Sequence, residues 1–154
     1  MHEVLEKLVG SGAVVTDGAW GTQLQARGLP TRECPDGWNL THPDVVEEIP
    51  RAYVESGSLV VITNTFRGNR LALQSAGLAE QAFELNRQGA AISRRAAGDR
   101  ARVFGSIGPS GKMLCMGEIT ADELRDVFAE QAAALAEGGA DAIVVETMAE
   151  LDEV

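Results

Sequence analysis

Short apolar runs alternate with amphipathic segments along this 154-residue chain. Four runs rich in β-branched residues lie at residues 13–16 (AVVT), 59–63 (LVVIT), 101–107 (ARVFGSI) and 140–145 (ADAIVV). Each run is continuously apolar, which is typical of strands that are buried on both faces of a parallel sheet. The pattern therefore predicts four parallel strands, numbered here in chain order.

Helical patterns with recognisable ends separate the predicted strands. The segment 41–56 carries Pro43 near its start and Pro50 inside, where a proline removes one backbone donor and should kink the helix. Thr120 and Glu123 have the spacing of a capping box, which predicts a helix that starts there. The predicted helices cover residues 2–9, 41–56, 78–97 and 120–137, and a further helix begins near residue 150. Strand–helix alternation of this kind predicts an α/β fold with right-handed crossovers.

The number of predicted strands bears on domain organisation. A closed (βα)₈ barrel needs about 250 residues, so four strands amount to half of one. The alternative is a complete small open sheet, which would usually end with a helix that covers its last strand. We favour the first interpretation, in which residues 1–154 form a single partial barrel domain that is truncated after strand four.

Composition and charge narrow the class of protein. Hydrophobic residues make up 45% and charged residues 23% of the chain, which is typical of a globular domain. The net charge is −10, and no basic stripe is present, so nucleic acid is not expected as a partner. No apolar run approaches the roughly 20 residues of a membrane span, and no leader pattern is visible, so we expect a cytoplasmic protein without a membrane partner.

Two acidic residues follow predicted strands directly and are the main candidates for chemistry. Asp17 follows strand one and Glu146 follows strand four, and the carboxyl ends of parallel strands meet at one edge of a sheet. Capping or surface ion pairing could explain either acid alone, whereas two acids at one edge favour a shared cationic group such as an amine. The backbone N–H groups at Gly18 and Ala19 would suit a carboxylate. Together these features predict an amino-acid site.

Three other features of the sequence give weaker indications of function. The segment GSIGPSGK at residues 105–112 departs from a phosphate-binding loop in its glycine spacing and in the Met113 that follows its lysine. His42 precedes a helix-opening proline, which favours a structural role. Trp20 could line a pocket or pack at the mouth of the barrel.

Five segments, taken together, carry a family resemblance. They are DGAWGTQL at residues 17–24, NLTHPDVV at 39–46, ESGSLVVITNTF at 55–66, GSIGPSG at 105–111 and GADAIVVETM at 139–148. Because all five occur in the right order and spacing, the chain resembles the homocysteine S-methyltransferase family. The match is to the N-terminal half of the homocysteine-binding barrel, and DGAWGTQLQ is closer to the methionine-synthase type than to the betaine-dependent type.

The resemblance implies a (βα)₈ barrel, often called a TIM barrel, that transfers a methyl group to the thiol of homocysteine and so makes methionine. It implies that Asp17 and Glu146 hold the amino group of homocysteine and that the turn at Gly18 and Ala19 binds its carboxylate. The same resemblance places Asn64 and Thr65 in the mouth of the barrel, with less defined roles. In the family, zinc held by three cysteines binds the thiol as a thiolate, which provides a nucleophile at neutral pH.

The sequence also departs from the family pattern. The zinc ligands include an adjacent Cys-Cys pair late in the barrel, and this chain has only Cys34 and Cys115, neither at a ligand position. Arg67 stands where related sequences often have a small residue. We expect this difference to alter the pocket for the methyl donor.

Two hypotheses about function follow from these observations. The first is an incomplete homocysteine S-methyltransferase domain that is inactive alone, with its methyl donor (a methylated corrinoid, S-methylmethionine or betaine) left open. The alternative is a non-catalytic half-barrel that binds an amino acid or assembles with another chain. In either case the open sheet edges favour self-association.

Overall fold

Three parallel strands form the sheet in the computed structural model, which describes residues 6, 8–10 and 12–154. They are β1 (Val60–Ile62), β2 (Arg102–Ile107) and β3 (Ala142–Val145), in the order β1-β2-β3. The register pairs Val61 with Val103, and Gly105 with Ile143. The predictions from the last three apolar runs are therefore confirmed.

The prediction of a first strand at residues 13–16 is wrong, because this run forms only an isolated parallel bridge between Thr16 and Val60. The N–H of Leu59 donates to the carbonyl of Val15 at 2.8 Å, and the N–H of Asp17 donates to the carbonyl of Val60 at 2.9 Å. Residues 13–16 thus lie beside β1 as a short extended segment. Within the described residues no strand pairs with their other side, and Val15 is 59% exposed.

In the described part of the chain, six α-helices accompany the sheet. They are α1 (Gly21–Ala26), α2 (Trp38–Thr41), α3 (Pro43–Glu55), α4 (Arg70–Leu73), α5 (Ala82–Ala97) and α6 (Ala121–Glu137). Short 3₁₀ turns cover Pro35–Gly37, Gln74–Ala76, Ala79–Gln81 and Leu151–Glu153. None of the described helices is both long enough and apolar enough to cross a membrane. The predicted lead-in helix over residues 2–9 falls largely outside the described residues.

The long helices end close to where the sequence predicts, but α5 begins at Ala82 and not at residue 78, because a 3₁₀ turn covers Ala79–Gln81. The capping box of α6 is present, with the Thr120 hydroxyl accepting from the N–H of Glu123 and the Glu123 carboxylate accepting from the N–H of Thr120. Gly98 follows α5 with a φ of 52°, a value that favours glycine. Helix α3 runs through Pro50, which is buried.

The helices pack on one face of the sheet. Helix α5 lies between α3 and α6, and it contacts both β1 and β2. Buried apolar side chains from the strands and helices meet there in two clusters, one built around Val61 and Val103 and the other around Ile107 and Leu135. This packing fixes the strands, and therefore the turns that follow them.

Candidate functional site

The candidate site lies where the chain leaves the carboxyl ends of the parallel strands. Asp17 follows the bridged residue Thr16, Thr63 and Thr65 follow β1, and Glu146 follows β3. Because all the pairings are parallel, these turns emerge at the same edge of the sheet.

Asp17 is fixed by two donors from neighbouring segments. Its Oδ2 accepts from the indole Nε1 of Trp20 at 3.0 Å and from the N–H of Ile62 at 2.9 Å. Burial raises the pKa of Asp17 above its usual value, these hydrogen bonds oppose that rise, and the negative charge of Glu146 adds to it. Both predicted acids thus lie at the same edge of the sheet, and Asp17 is held there by donors from two other segments.

Glu146 is oriented by the strand beside it. Its Oε1 accepts from the hydroxyl of Ser106 on β2 at 2.6 Å, and its N–H donates to the carbonyl of Ile107 at 3.0 Å. The next residue, Thr147, has a φ of 61°, which is uncommon for a β-branched residue. The second carboxylate oxygen of Glu146 has no hydrogen-bond donor among the described residues.

Thr65 supports the candidate site through buried hydrogen bonds. It is fully buried, and its hydroxyl donates to the carbonyl of Ser106 at 2.8 Å. The hydroxyls of Thr63 and Thr65 lie 2.5 Å apart, and Thr63 also accepts from the N–H of Ser106 at 3.0 Å. Since a hydroxyl has one proton and that of Thr65 is already used, Thr63 is the donor of this pair. Thr65 therefore holds the residue that orients Glu146.

Asn64 does not join the acids through its side chain. Its Nδ2 donates to the carbonyl of Pro35 at 2.8 Å and to Oδ1 of Asn39 at 3.0 Å. Asn39 in turn donates to the carbonyls of Asn64 at 2.8 Å and Leu85 at 3.2 Å. This buried amide pair fixes the turn after β1 against α2 and α5, so the contribution of Asn64 is to the shape of the turn.

Gly18 and Ala19 lie in an exposed turn before α1, which begins at Gly21. The Tyr53 hydroxyl donates to the carbonyl of Ala19 at 3.0 Å, and a Cβ at Gly18 would lie only 3.1 Å from that same hydroxyl oxygen. Tyr53 therefore packs closely under this turn. The N–H groups of Gly18 and Ala19 make no hydrogen bond within the part of the chain that the structure describes, so both are available to a ligand.

No cationic side chain of the described residues pairs with the acids of the site. Within the described ranges neither Asp17 nor Glu146 forms an ion pair with a lysine, arginine or histidine. Two half-buried carboxyl groups that repel one another bind a cation favourably, because it offsets both desolvation and repulsion. The arrangement suits a ligand ammonium group beside the free N–H groups of the neighbouring turn.

The cysteines do not form a zinc site. Cys34 is half-buried, and its thiol contacts Oδ2 of Asp36 at 3.7 Å. Cys115 is exposed, and its N–H donates to Glu150 at 3.3 Å. Among the described residues no three His, Cys, Asp or Glu side chains are grouped to hold a metal ion. These residues do not fit the zinc that the family resemblance implies.

Sequence reasoning missed the residues that orient the two acids. Ser106 was visible only as a polar residue near the end of an apolar strand, and its role depends on the register that sets it beside Glu146. Trp20 lies three residues after Asp17, and its indole is now seen to be a donor to that carboxylate. His42 stacks on Trp38 with ring centroids 4.3 Å apart, which is consistent with a structural role.

Comparisons with known proteins address the family directly. The family model described as homocysteine S-methyltransferase matches residues 14–154. The chain is 41% identical to methionine synthase of Mycobacterium tuberculosis (strain ATCC 25618 / H37Rv) over 150 residues, which cover 90% of this chain and 13% of that protein. It is 37% identical to methionine synthase of Mycobacterium leprae (strain TN) over 161 residues, which cover 97% of this chain and 13% of that protein.

The solved structures agree in fold. The homocysteine methyltransferase MmuM from Escherichia coli in its metallated form superposes with a TM-score of 0.83 at 23% identity, covering 97% of this chain and 59% of that one. Its apo form superposes with a TM-score of 0.72 at 20% identity, covering 96% of this chain and 55% of that one.

The chain thus spans about 13% of the length of these methionine synthases and 59% of the metallated MmuM chain. With a family model matched over residues 14–154, the chain belongs to the homocysteine S-methyltransferase family.

Proposed function

We propose that this chain provides the amino-acid-binding side of a homocysteine S-methyltransferase barrel, where the thiol of homocysteine accepts a methyl group to give methionine. The observation that carries the proposal is a pair of half-buried acids, Asp17 and Glu146, which follow parallel segments at the same edge of the sheet. In the described residues no cation of the protein neutralises this pair.

The hydrogen bonds leave each acid free to bind an ammonium group on one side. Trp20 and the N–H of Ile62 both bind Oδ2 of Asp17, and Ser106 binds Oε1 of Glu146. The other oxygen of each carboxylate has no donor among the described residues. An ammonium group carries three N–H donors, so one such group can serve more than one acceptor.

The substrate carboxylate would bind at the neighbouring turn. Among the described residues nothing accepts from the N–H groups of Gly18 and Ala19, and Tyr53 holds the turn by donating to the carbonyl of Ala19 at 3.0 Å. Backbone N–H groups suit an anion because they donate without a side chain that must be ordered. A ligand with its ammonium on the acids and its carboxylate on this turn has the polar end of an α-amino acid fixed at two points.

Methyl transfer itself needs more than these residues provide. In the reaction a bond forms between the methyl carbon and the homocysteine sulfur, and the thiol loses its proton. Zinc would supply the thiolate in the family, but the described residues do not fit a zinc site. We therefore propose that this chain binds and orients the amino-acid end of homocysteine, and that it does not transfer the methyl group alone.

Calorimetric titration of the purified chain with L-homocysteine under reducing conditions tests the proposal. Saturable binding is expected, and γ-mercaptobutyrate, which has the thiol and carboxylate but no amino group, should bind far more weakly. Equal affinity for both ligands would contradict the assignment of the acids to the amino group. No binding of L-homocysteine at any accessible concentration would contradict the proposed function as a whole.

A further inference from the structure

A second cleft lies between the turn after β1 and the turn after β2, outside the group of residues around Asp17 and Glu146. Its volume is about 430 Å³, within the range of small-ligand pockets. One wall carries Phe66, Arg67 and Leu71, and the other carries Pro109 and Lys112.

The charge of this cleft is opposite to that of the whole chain. Its lining contains two cations, Arg67 and Lys112, and no aspartate or glutamate, whereas the chain has a net charge of −10. Most of the described arginines form ion pairs with carboxylates. Within the described residues neither Arg67 nor Lys112 lies within ion-pair distance of one. The cleft is therefore a local positive site with its cations available.

Two buried acids behind the walls of the cleft are engaged elsewhere, and Glu118, Glu123 and Asp126 line a separate pocket on the other side of Lys112. Asp36 accepts from the N–H of Arg67 at 2.9 Å, and the guanidinium of Arg67 lowers the pKa of Asp36 against the larger effect of burial. Glu153 accepts from the N–H of Ser110 at 2.8 Å and from its hydroxyl at 2.6 Å. Both carboxyl groups are buried behind the walls, so they fix the backbone and do not occupy the cleft.

The two walls are also joined to each other. The N–H of Gly108 donates to the carbonyl of Phe66 at 3.0 Å, and a Cβ at Gly108 would lie 2.5 Å from Phe66, so only glycine allows this close approach. Asn69 donates to the carbonyl of Pro109 at 3.1 Å and also caps α4. The backbone of the cleft is thus held in place before any ligand binds, which lowers the cost of binding.

Apolar surface lies beside the two cations. The ring of Phe66 is 37% exposed, and Leu71 and Pro109 also line the cleft. A simple inorganic anion would leave this surface uncovered. An anion attached to an apolar body would cover the surface and place its charge between Arg67 and Lys112.

We propose that the cleft between Phe66, Arg67, Leu71, Pro109 and Lys112 binds an organic anion, a carboxylate or a phosphate ester on an apolar body. The site is separate from the proposed homocysteine site, and its test uses no homocysteine. Failure of either proposal therefore leaves the other intact.

NMR titration of the ¹⁵N-labelled chain with benzoate and with phenyl phosphate tests this proposal. Saturable binding of at least one of them is expected, with shifts centred on the amides of Arg67 and Gly111, and the stronger ligand identifies the anionic group. Benzylammonium, which has a similar apolar body and the opposite charge, should not bind. Absence of saturable shifts for both anions, or equal binding of benzylammonium, would overturn the proposal.

Substitutions in the same titration locate the site. Arg67→Gln and Lys112→Gln should each weaken anion binding by about two- to fivefold, as expected for exposed charges. Arg67→Lys keeps the charge and should retain most of the affinity. Arg100→Gln is the matched control, because Arg100 is exposed, lies outside the cleft and has no ion-pair partner in the described ranges. Unchanged affinity in both Arg67→Gln and Lys112→Gln would place the anion elsewhere and contradict the proposal.

Discussion

Asp36 is a buried acid that lies outside the candidate site. It is 2% exposed, its carboxylate accepts from the N–H of Arg67 and from the thiol of Cys34, and burial raises its pKa to about 6. The ordinary value is 3.8, so the folded protein holds this proton more tightly than the unfolded chain does. Below the pKa of Asp36 in the unfolded chain, the protonated carboxyl contributes its full stabilisation to the fold. This contribution is lost as the pH rises through about 6.

Asp36→Asn should remove this pH dependence, because the amide does not titrate. A shift of about two pKa units corresponds to roughly 3 kcal/mol. The free energy of unfolding of Asp36→Asn relative to the wild type should therefore rise by roughly 2–3 kcal/mol between about pH 4 and pH 7. Urea denaturation at several pH values measures it, with the exposed Asp99→Asn as control. A difference that stays constant over this range would show that Asp36 does not titrate as described.

The residues of the candidate site differ in how well the sequence could predict them. Asp17 and Glu146 were predictable because each directly follows an apolar run. Their donors were not, since Ser106 reaches Glu146 only through the pairing of β2 with β3. The buried amide pair of Asn39 and Asn64 likewise joins residues 25 positions apart, which no local pattern indicates.

At the scale of elements, the sequence predicted the strands that pair over several residues and the long helices. The runs that became β1, β2 and β3 are apolar and have strand neighbours or helices packed on them. The run at residues 13–16 is similarly apolar, but it forms a single bridged pair with β1. A strand needs more than one such pair, so this run is not a strand. Helix α4 was missed, since four residues are too few to show a period. Its position depends on Arg70, which donates to both oxygens of Glu130 on α6 at 2.7 and 2.6 Å.

The capping box of α6 provides a test at this scale. Thr120→Ala removes the acceptor for the N–H of Glu123, which lies 3.2 Å from the Thr120 hydroxyl. Loss of such a cap costs about 1 kcal/mol, so the free energy of unfolding should fall by that amount in urea denaturation. Thr31→Ala, at an exposed turn, is the control. A loss no larger than that of the control would mean that α6 does not depend on its cap.

At the scale of the whole molecule, no described residue pairs with the outer edge of β3. An apolar trough of about 480 Å³ runs between α6 and β3, and its lining includes Phe128, Ile143, Val145 and Met148. Ile143 and Val145 are 39% and 45% exposed. An apolar face beside an unpaired strand edge favours association with another chain.

We expect the chain to self-associate through this side. Light scattering at tens of micromolar should show a dimer or larger species. Val145→Lys should shift the population toward monomer, because burial of a lysine in the apolar trough is unfavourable. Arg125→Lys, at the rim of the same trough, keeps the charge and is the control. A monodisperse monomer of the wild type would contradict the prediction.

Metal content is the second whole-molecule prediction. With two cysteines that contact different acids, we expect no stoichiometric zinc in the chain purified without a His-tag. Elemental analysis after dialysis against zinc measures it. One tightly bound zinc per chain would require Cys34 or Cys115 as ligands, and the Cys34→Ser and Cys115→Ser variants would identify which.

The most direct test of the proposed site measures Glu146→Gln against two ligands. If Glu146 binds the ammonium group, L-homocysteine should bind about 10- to 150-fold more weakly to Glu146→Gln, because a hydrogen bond to a charged group contributes roughly 1.5–3 kcal/mol. Binding of γ-mercaptobutyrate, which lacks the amino group, should not weaken. Glu55→Gln, at the exposed end of α3, should leave both affinities unchanged. Equal loss for both ligands, or unchanged affinity for homocysteine with a lower melting temperature, would contradict the assignment of Glu146 to the substrate amine.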